Sequence, residues 1–206
     1  LTNLLFVSSV NGSDQGAQNI GGLVGFTEGD TAVVSGCIVT GEIQAKAAVT
    51  GAFAGVANKM KITDCFTDVT MTIDIAPASS SDNISGFLAK ANGCVVSNSF
   101  SISDYSYTAI DPLPRTFIGQ NIEIGGEFTT SVSGCFVNAE IVSEDLWKIG
   151  NDSLAANVTE LTTEGFRSSS NFPTFDFDNT WAMSVWGESS MPVQQWFGAE
   201  AADDVI

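Results

Sequence analysis

The sequence predicts an all-β protein: a parallel β-helix or β-solenoid of about four coils over residues 1–145, followed by a C-terminal aromatic capping segment over 146–206. Three observations predict it. A short pattern recurs at intervals of about 28 to 36 residues, the range in which self-similarity implies stacked units. No helical periodicity of sufficient length interrupts residues 1–145. The polar residues are mainly Ser, Thr, Asn and Gly rather than charged ones, which suits tightly turned β-structure better than disorder.

The recurring pattern is an apolar residue, Ser or Thr, then Gly, Asp or Asn, then Cys or Ser, then Phe or Ile. Val33-Val34-Ser35-Gly36-Cys37-Ile38 aligns with Lys61-Ile62-Thr63-Asp64-Cys65-Phe66, with Val95-Val96-Ser97-Asn98-Ser99-Phe100, and with Ser131-Val132-Ser133-Gly134-Cys135-Phe136. A truncated copy, Thr2-Asn3-Leu4-Leu5, opens the chain. Upstream of the first three full copies lies a second block: Ile20-Gly21-Gly22-Leu23-Val24-Gly25, Thr50-Gly51-Ala52-Phe53-Ala54-Gly55 and Ile84-Ser85-Gly86-Phe87-Leu88-Ala89, with a degraded fourth version at Phe117-Ile118-Gly119-Gln120. Downstream come short alternating segments at Glu42-Ala45, Thr70-Ile73, Asp104-Tyr107 and Glu140-Ser143. Each repeat therefore reads as three short strands separated by turns. In stacked coils the equivalent residues would form ladders at the interstrand spacing of ~4.8 Å.

Beyond residue 145 the repeats stop. An end of such a stack exposes unpaired edges and a cut core, and Phe166, Phe172, Phe175, Phe177, Trp181, Trp186, Trp196 and Phe197 supply apolar area for a cap. A short helix is expected over 154–164.

Composition narrows the function classes. The chain has 24 acidic residues against 7 basic ones and no histidine, for a formal net charge of -17. Nucleic acid is not an expected partner, because phosphate binding needs clustered Lys and Arg. Anionic membrane surfaces are disfavoured for the same reason. The longest weakly polar stretch, residues 47–57, is too short to span a bilayer, so no membrane insertion is expected in this segment. No basic, then apolar, stretch opens the sequence, so an export signal encoded by the gene would have been removed.

The repeat blocks resemble the GLUG motif repeats of bacterial surface proteins. Gly22-Leu23-Val24-Gly25 carries the nearest match, and Asp176-Phe177-Asp178-Asn179-Thr180-Trp181 with Met191-Pro192-Val193 and Trp196 is similar to the endings of such arrays. The likeness covers about three-quarters of the chain, on repeat alignment. It implies a β-solenoid that is extracellular or on the cell surface, bacterial, and without assigned chemistry: a non-catalytic module for adhesion or structural display, with a glycan or protein as its surface ligand. The rival expectation is a carbohydrate-active β-helix enzyme, a polysaccharide lyase or glycosidase, which needs converging carboxylates or a base with charge neutralisation.

Individual residues give candidate chemistry. Cys37, Cys65, Ser99 and Cys135 share one repeat slot, with Leu4 in the truncated copy. Such a slot reads as an interior ladder of free thiols and hydroxyls, or alternatively as a Cys37–Cys65 disulfide between neighbouring coils. Cys94 falls in another slot, with Ala32 and Met60. Asp104 and Glu140 occupy one slot on consecutive coils, where they could share Ca²⁺ or form a solvated acidic face. No other cofactor is expected. Asp176 and Asp178 raise the same calcium thought, although Asp-x-Asp-Asn is commonly only a turn. Tyr105 and Tyr107 lie on one strand face and could stack a sugar or another ligand. With no histidine, a Ser/His/Asp set cannot form.

Overall fold

The computed structural model describes residues 1–12, 19–28, 31–46, 49–74, 83–107, 114–122, 129–141, 147–149 and 152–200. One corner recurs through it. Asn3, Gly36, Asp64, Asn98 and Gly134 all adopt positive φ, between 48° and 63°, a region that Gly, Asn and Asp enter at least cost. This explains the Gly/Asp/Asn position of the repeat. A single left-handed residue turns the chain out of one sheet and into the next.

Before the corner, Ala32–Ser35, Met60–Thr63, Val95–Ser97 and Ser131–Ser133 form a four-stranded sheet. After it, Leu5–Gly12, Ile38–Ala45, Phe66–Ile73, Phe100–Ser101 and Cys135–Asn138 build a seven-stranded sheet, completed by Asp104–Tyr107 and Val158–Leu161. The Gly-rich blocks supply an eight-stranded sheet. In it Val49–Gly51 and Ala54–Asn58 are two pieces of one passage, and Arg115–Asn121 makes the same passage as a single strand. All pairing in these three sheets is parallel. Ile38 is in register with Phe66, Phe66 with Phe100, and Phe100 with Phe136. We call each set of register-equivalent strands a rung.

The inner faces share one core, in which Phe53, Phe87 and Phe117 stack with ring centroids 4.7 Å apart at both steps, the interstrand distance itself. At the bend between the two pieces of a passage the backbone passes very close to its neighbours. A Cβ on Gly51 would lie 2.0 Å from the Ala54 carbonyl oxygen and 2.7 Å from the Ala89 amide nitrogen. Gly51→Ala is therefore expected to destabilise the fold by ~2–3 kcal/mol, since backbone on both sides must shift. Gly187→Asn, at a position of positive φ with nothing within 4 Å of its Cβ, should leave the urea midpoint nearly unchanged. Equal midpoints for the two variants would refute this reading of the bend.

The expected parallel β-helix or β-solenoid of about four coils with a C-terminal aromatic cap is corrected. The chain is strand-rich, at 60%, but it combines three parallel sheets with an antiparallel one, and it has two cores rather than one. The antiparallel sheet pairs Trp181–Trp186 with Ser189–Gln194. The physical reason is the alternation of the seven-stranded sheet. The Cys/Ser slot faces inward, so Ile38, Phe66, Phe100 and Phe136, each one residue later, face outward as an apolar ladder. Such a ladder must be covered. Phe166, Phe172, Phe175, Trp181, Met191 and Val193 cover it, with Phe177, Trp186, Trp196 and Phe197 partly buried around them.

The aromatic segment is thus a strap along the flank of the sheet and not a plug at its end. Phe172 packs on Phe136, with centroids 4.7 Å apart. At the other extreme the Trp196 indole N–H donates to the Gly36 carbonyl, 3.0 Å away. The helix expected over 154–164 is also corrected, to two four-residue helices, Asp152–Ala155 and Thr163–Phe166, with Val158–Leu161 between them. That strand pairs in parallel with Cys135–Asn138, so parallel pairing continues past the expected boundary at 145/146, which itself lies outside the described residues. Among the described residues no helix is long and apolar enough to cross a membrane.

Candidate functional site

The shared cysteine slot is a hydrogen-bonded ladder. Each side chain donates to the carbonyl two residues back: Cys37 to Ser35 at 3.4 Å, Cys65 to Thr63 at 3.2 Å, Ser99 to Ser97 at 2.8 Å and Cys135 to Ser133 at 3.3 Å. Each also lies where the preceding rung can donate to it, as the Cys37 N–H does to Cys65 Sγ and the Cys65 N–H to Ser99 Oγ. A small side chain that both donates and accepts meets both demands, which is why Ser and Cys interchange. All four cysteines, Cys94 included, are free and buried. Burial pushes the Cys65 thiol well up and that of Cys135 to about 12, so these two are inert groups rather than nucleophiles, whereas the hydrogen bond with the Cys65 side chain lowers the Cys37 thiol to about 7. Cys94 Sγ donates to the Ala57 carbonyl at 3.2 Å.

Tyr105 does not offer its ring as a ligand platform. It packs against the inner core, its hydroxyl donates to the Arg115 carbonyl at 2.8 Å, and burial raises its phenol. Tyr107 is in register with Ile73, and its side chain lies outside the described residues. Asp104 and Glu140 are held apart in role. Asp104 is paired with Thr70 on an exposed strand position. Glu140 instead follows the end of its strand, where the Asn138 side chain accepts from the Glu140 N–H, and its carboxylate accepts from the Thr163 N–H at 2.9 Å. Hydrogen bonding from the Thr163 side chain, and secondarily from its N–H, holds the exposed Glu140 carboxyl below its ordinary range. Asp176 closes a turn, accepting from the Asp178 and Asn179 N–H groups, both at 3.0 Å. Among the described residues no three His, Cys, Asp or Glu side chains gather as a metal set.

A different place concentrates chemistry. The outward face of the seven-stranded sheet carries a second ladder, two residues beyond the apolar one, through Val7, Thr40 and Asp68, and by the same register through Ile102 and Asn138. Over its last three members the hairpin stands off, leaving a cleft of about 260 Å³. Asp68, Ile102 and Asn138 form its floor, Trp186, Glu188 and Met191 its outer wall, and Thr163 and Phe166 one end. The Trp186 indole N–H donates to Asp68 Oδ2 at 2.5 Å, and the Asn138 amide donates to Thr163 Oγ1 at 3.1 Å. Burial raises the Asp68 carboxyl, the indole bond lowers it, and the nearby Asp104 charge raises it again, for a net upward shift.

The sign of this shift gives a stability prediction. The folded chain holds the Asp68 proton more tightly than the unfolded one, so the associated stabilisation is complete below the ordinary carboxylate range and is lost as pH rises through the raised folded value. Asp68→Asn keeps an acceptor for Trp186 and removes the ionisation. Its thermal midpoint is expected to exceed that of the unsubstituted chain at pH 7 and to converge with it near pH 4. A variant less stable at pH 7 would reverse the assignment.

The sequence pattern did not single out Asp68, because its ladder holds Val, Thr, Ile and Asn on the other rungs. Its one signal is the alternation after Phe66, which turns Asp68 outward. No family model matches the chain, and neither a curated protein nor a solved structure matches it.

Proposed function

We propose that the chain is a non-catalytic, cell-surface or secreted GLUG-type repeat module serving adhesion or structural display, and that it engages its ligand, one saccharide unit of a neutral glycan, in the flank cleft. The observation that carries this reading is the composition of the cleft: a partly desolvated carboxylate, an amide and an indole around a volume just under the usual range for small-molecule pockets. Carboxylate and amide suit sugar hydroxyls, and apolar Ile102, Phe166 and Trp186 suit the C–H faces of the ring. A net charge of -17 favours neutral glycans over acidic ones.

The test is a glycan and matrix-protein array on the full chain, with calcium and with chelator, repeated with Asp68→Ala. Binding that weakens at least tenfold in Asp68→Ala supports the cleft, as expected for loss of hydrogen bonds to a charged acceptor. Undiminished binding removes the cleft from the proposal, and a blank array for the unsubstituted chain removes adhesion. Loss of binding in chelator would bring calcium into the site.

One observation favours a second reading, a carbohydrate-active enzyme. Asp68 and Glu188 border the same cleft, and two carboxyls flanking one cleft are the equipment of glycoside hydrolysis. Release of reducing ends from a neutral polysaccharide panel, lost in both Asp68→Asn and Glu188→Gln, would replace the non-catalytic reading.

A further inference from the structure

The floor of the flank cleft continues beyond the strap. On one face of a strand every second residue points the same way, so Thr70 and Thr72 follow Asp68, and Asp104 and Ser106 follow Ile102. Thr70 is in register with Asp104 and Thr72 with Ser106, without a bulge. The neighbouring rung sets Glu42 beside Thr70 and Gln44 beside Thr72. All six are exposed and none is apolar. Their hydrogen-bonding state separates them from the other hydroxyl row of the fold. Thr63 and Ser97, register neighbours on the four-stranded sheet, bond each other at 2.8 Å. Among the described residues, the Thr70, Thr72, Asp104 and Ser106 side chains have no such partner. Inside the cleft, Asp68 Oδ2 takes the Trp186 indole and Thr163 Oγ1 takes the Asn138 amide. Asp68 Oδ1 is left to accept and the Thr163 hydroxyl hydrogen to donate.

We propose that Thr70, Thr72, Asp104 and Ser106 extend the cleft, and that the occupant of cleft and extension is one unbranched, ribbon-like neutral polysaccharide. The proposal rests on the cleft being a saccharide site. The two added rows lie about 7 and about 13 Å beyond Asp68 at the strand rise, room for about two further sugar units. Three observations select the occupant. The rows are continuous with the cleft floor through Asp68 and Ile102. They carry no apolar anchor of the kind that dominates protein interfaces, while hydroxyls that both donate and accept match those of a sugar. They carry no Lys or Arg either, and with Glu42 and Asp104 present an acidic glycan is repelled. The even register makes a straight floor. Equatorially linked pyranoses form straight ribbons that follow such a floor, whereas axial linkages curl the chain away from it.

The experiment is calorimetric titration of the full chain with β-1,4-linked gluco-, manno- and xylo-oligosaccharides of one to six units, and with α-1,4-linked gluco-oligosaccharides of the same lengths. Affinity should rise at least tenfold from one to three units in a β-linked series and then level off, while the α-linked series stays at its single-unit value. A variant combining Thr70→Val, Thr72→Val and Ser106→Ala, all strand-compatible, should keep single-unit affinity within twofold and lose the gain with length. Single-unit binding that Asp68→Ala abolishes but that length does not improve overturns the extension and leaves the cleft standing. Equal gains in the α- and β-linked series, or a gain that survives the triple variant, overturn it as well. No binding in any series overturns the proposal, and a blank glycan array then removes the cleft reading with it.

Discussion

Phe100→Ala is expected to lower folding stability by ~3–5 kcal/mol, in the upper range for a buried aromatic truncation. Phe100 sits at the middle of the outward ladder with no exposed surface. Its ring stacks on Phe66 at 4.8 Å with only 4° between the planes, and it meets Phe166 at 5.4 Å and Trp181 at 5.7 Å from the strap. The substitution therefore removes sheet-to-sheet and sheet-to-strap packing at one stroke, and the cavity cannot collapse because both walls are backbone-paired. Urea unfolding followed by circular dichroism supplies the midpoint and slope. Phe177→Ala, at the partly buried rim of the same cluster, should cost much less. A loss below ~1 kcal/mol at Phe100 would mean that the strap is only loosely seated.

Trp181→Ala should be comparably damaging, and its companion variants separate packing from hydrogen bonding. Trp181 is fully buried, stacks on Phe175 at 4.5 Å and donates its indole N–H to Asp64 Oδ1 at 3.1 Å. Trp181→Phe keeps most of the ring and removes the donor, for an expected loss of ~1.5–3 kcal/mol, whereas Trp181→Ala adds the cavity and should reach ~3–5 kcal/mol. Asp64 is a positive-φ corner. Asp64→Gly consequently deletes the acceptor while relaxing the backbone, and its net effect should be small. In a double-mutant cycle, Trp181→Phe with Asp64→Gly should show a coupling of ~1–2 kcal/mol, because the two partners touch directly. Additive losses would show that the indole bond contributes nothing of its own.

The parts of this architecture that repeat were legible in the sequence, and the parts that occur once were not. The Gly/Asp/Asn position announced a backbone turn, and all five copies down to Asn3 make it. Leu4 belonged in the cysteine slot, and the Leu5–Ile38 register puts it there. Ser and Cys interchanged along a ladder whose hydrogen bonds suit either. The large residue after that slot was the point of failure. The repeat pattern assigned no face to Ile38, Phe66, Phe100 and Phe136, and hence left the aromatic segment without a flank to cover. Its contacts join residues such as Gly36 and Trp196, 160 positions apart, which no local period encodes. Glu140 failed differently. It aligned with Asp104 by spacing, but the Asn138 side chain bonds the Glu140 amide and ends the strand two residues early. Asp68 stayed hidden because self-similarity picks out what neighbouring copies share, and its row shares nothing.

The strap also changes how the molecule comes apart. Units that touch only their nearest neighbours unravel gradually from the ends, each step set by its own local balance. Here the aromatic segment lies across the rungs, reaching from Phe136 back to Gly36, so a rung beneath it cannot open without first detaching aromatic side chains that its neighbours also need. Opening becomes all-or-none and slow to begin. Formation carries the opposite burden, because contacts between distant positions delay the final step and the phenylalanine row stays wet until the strap arrives.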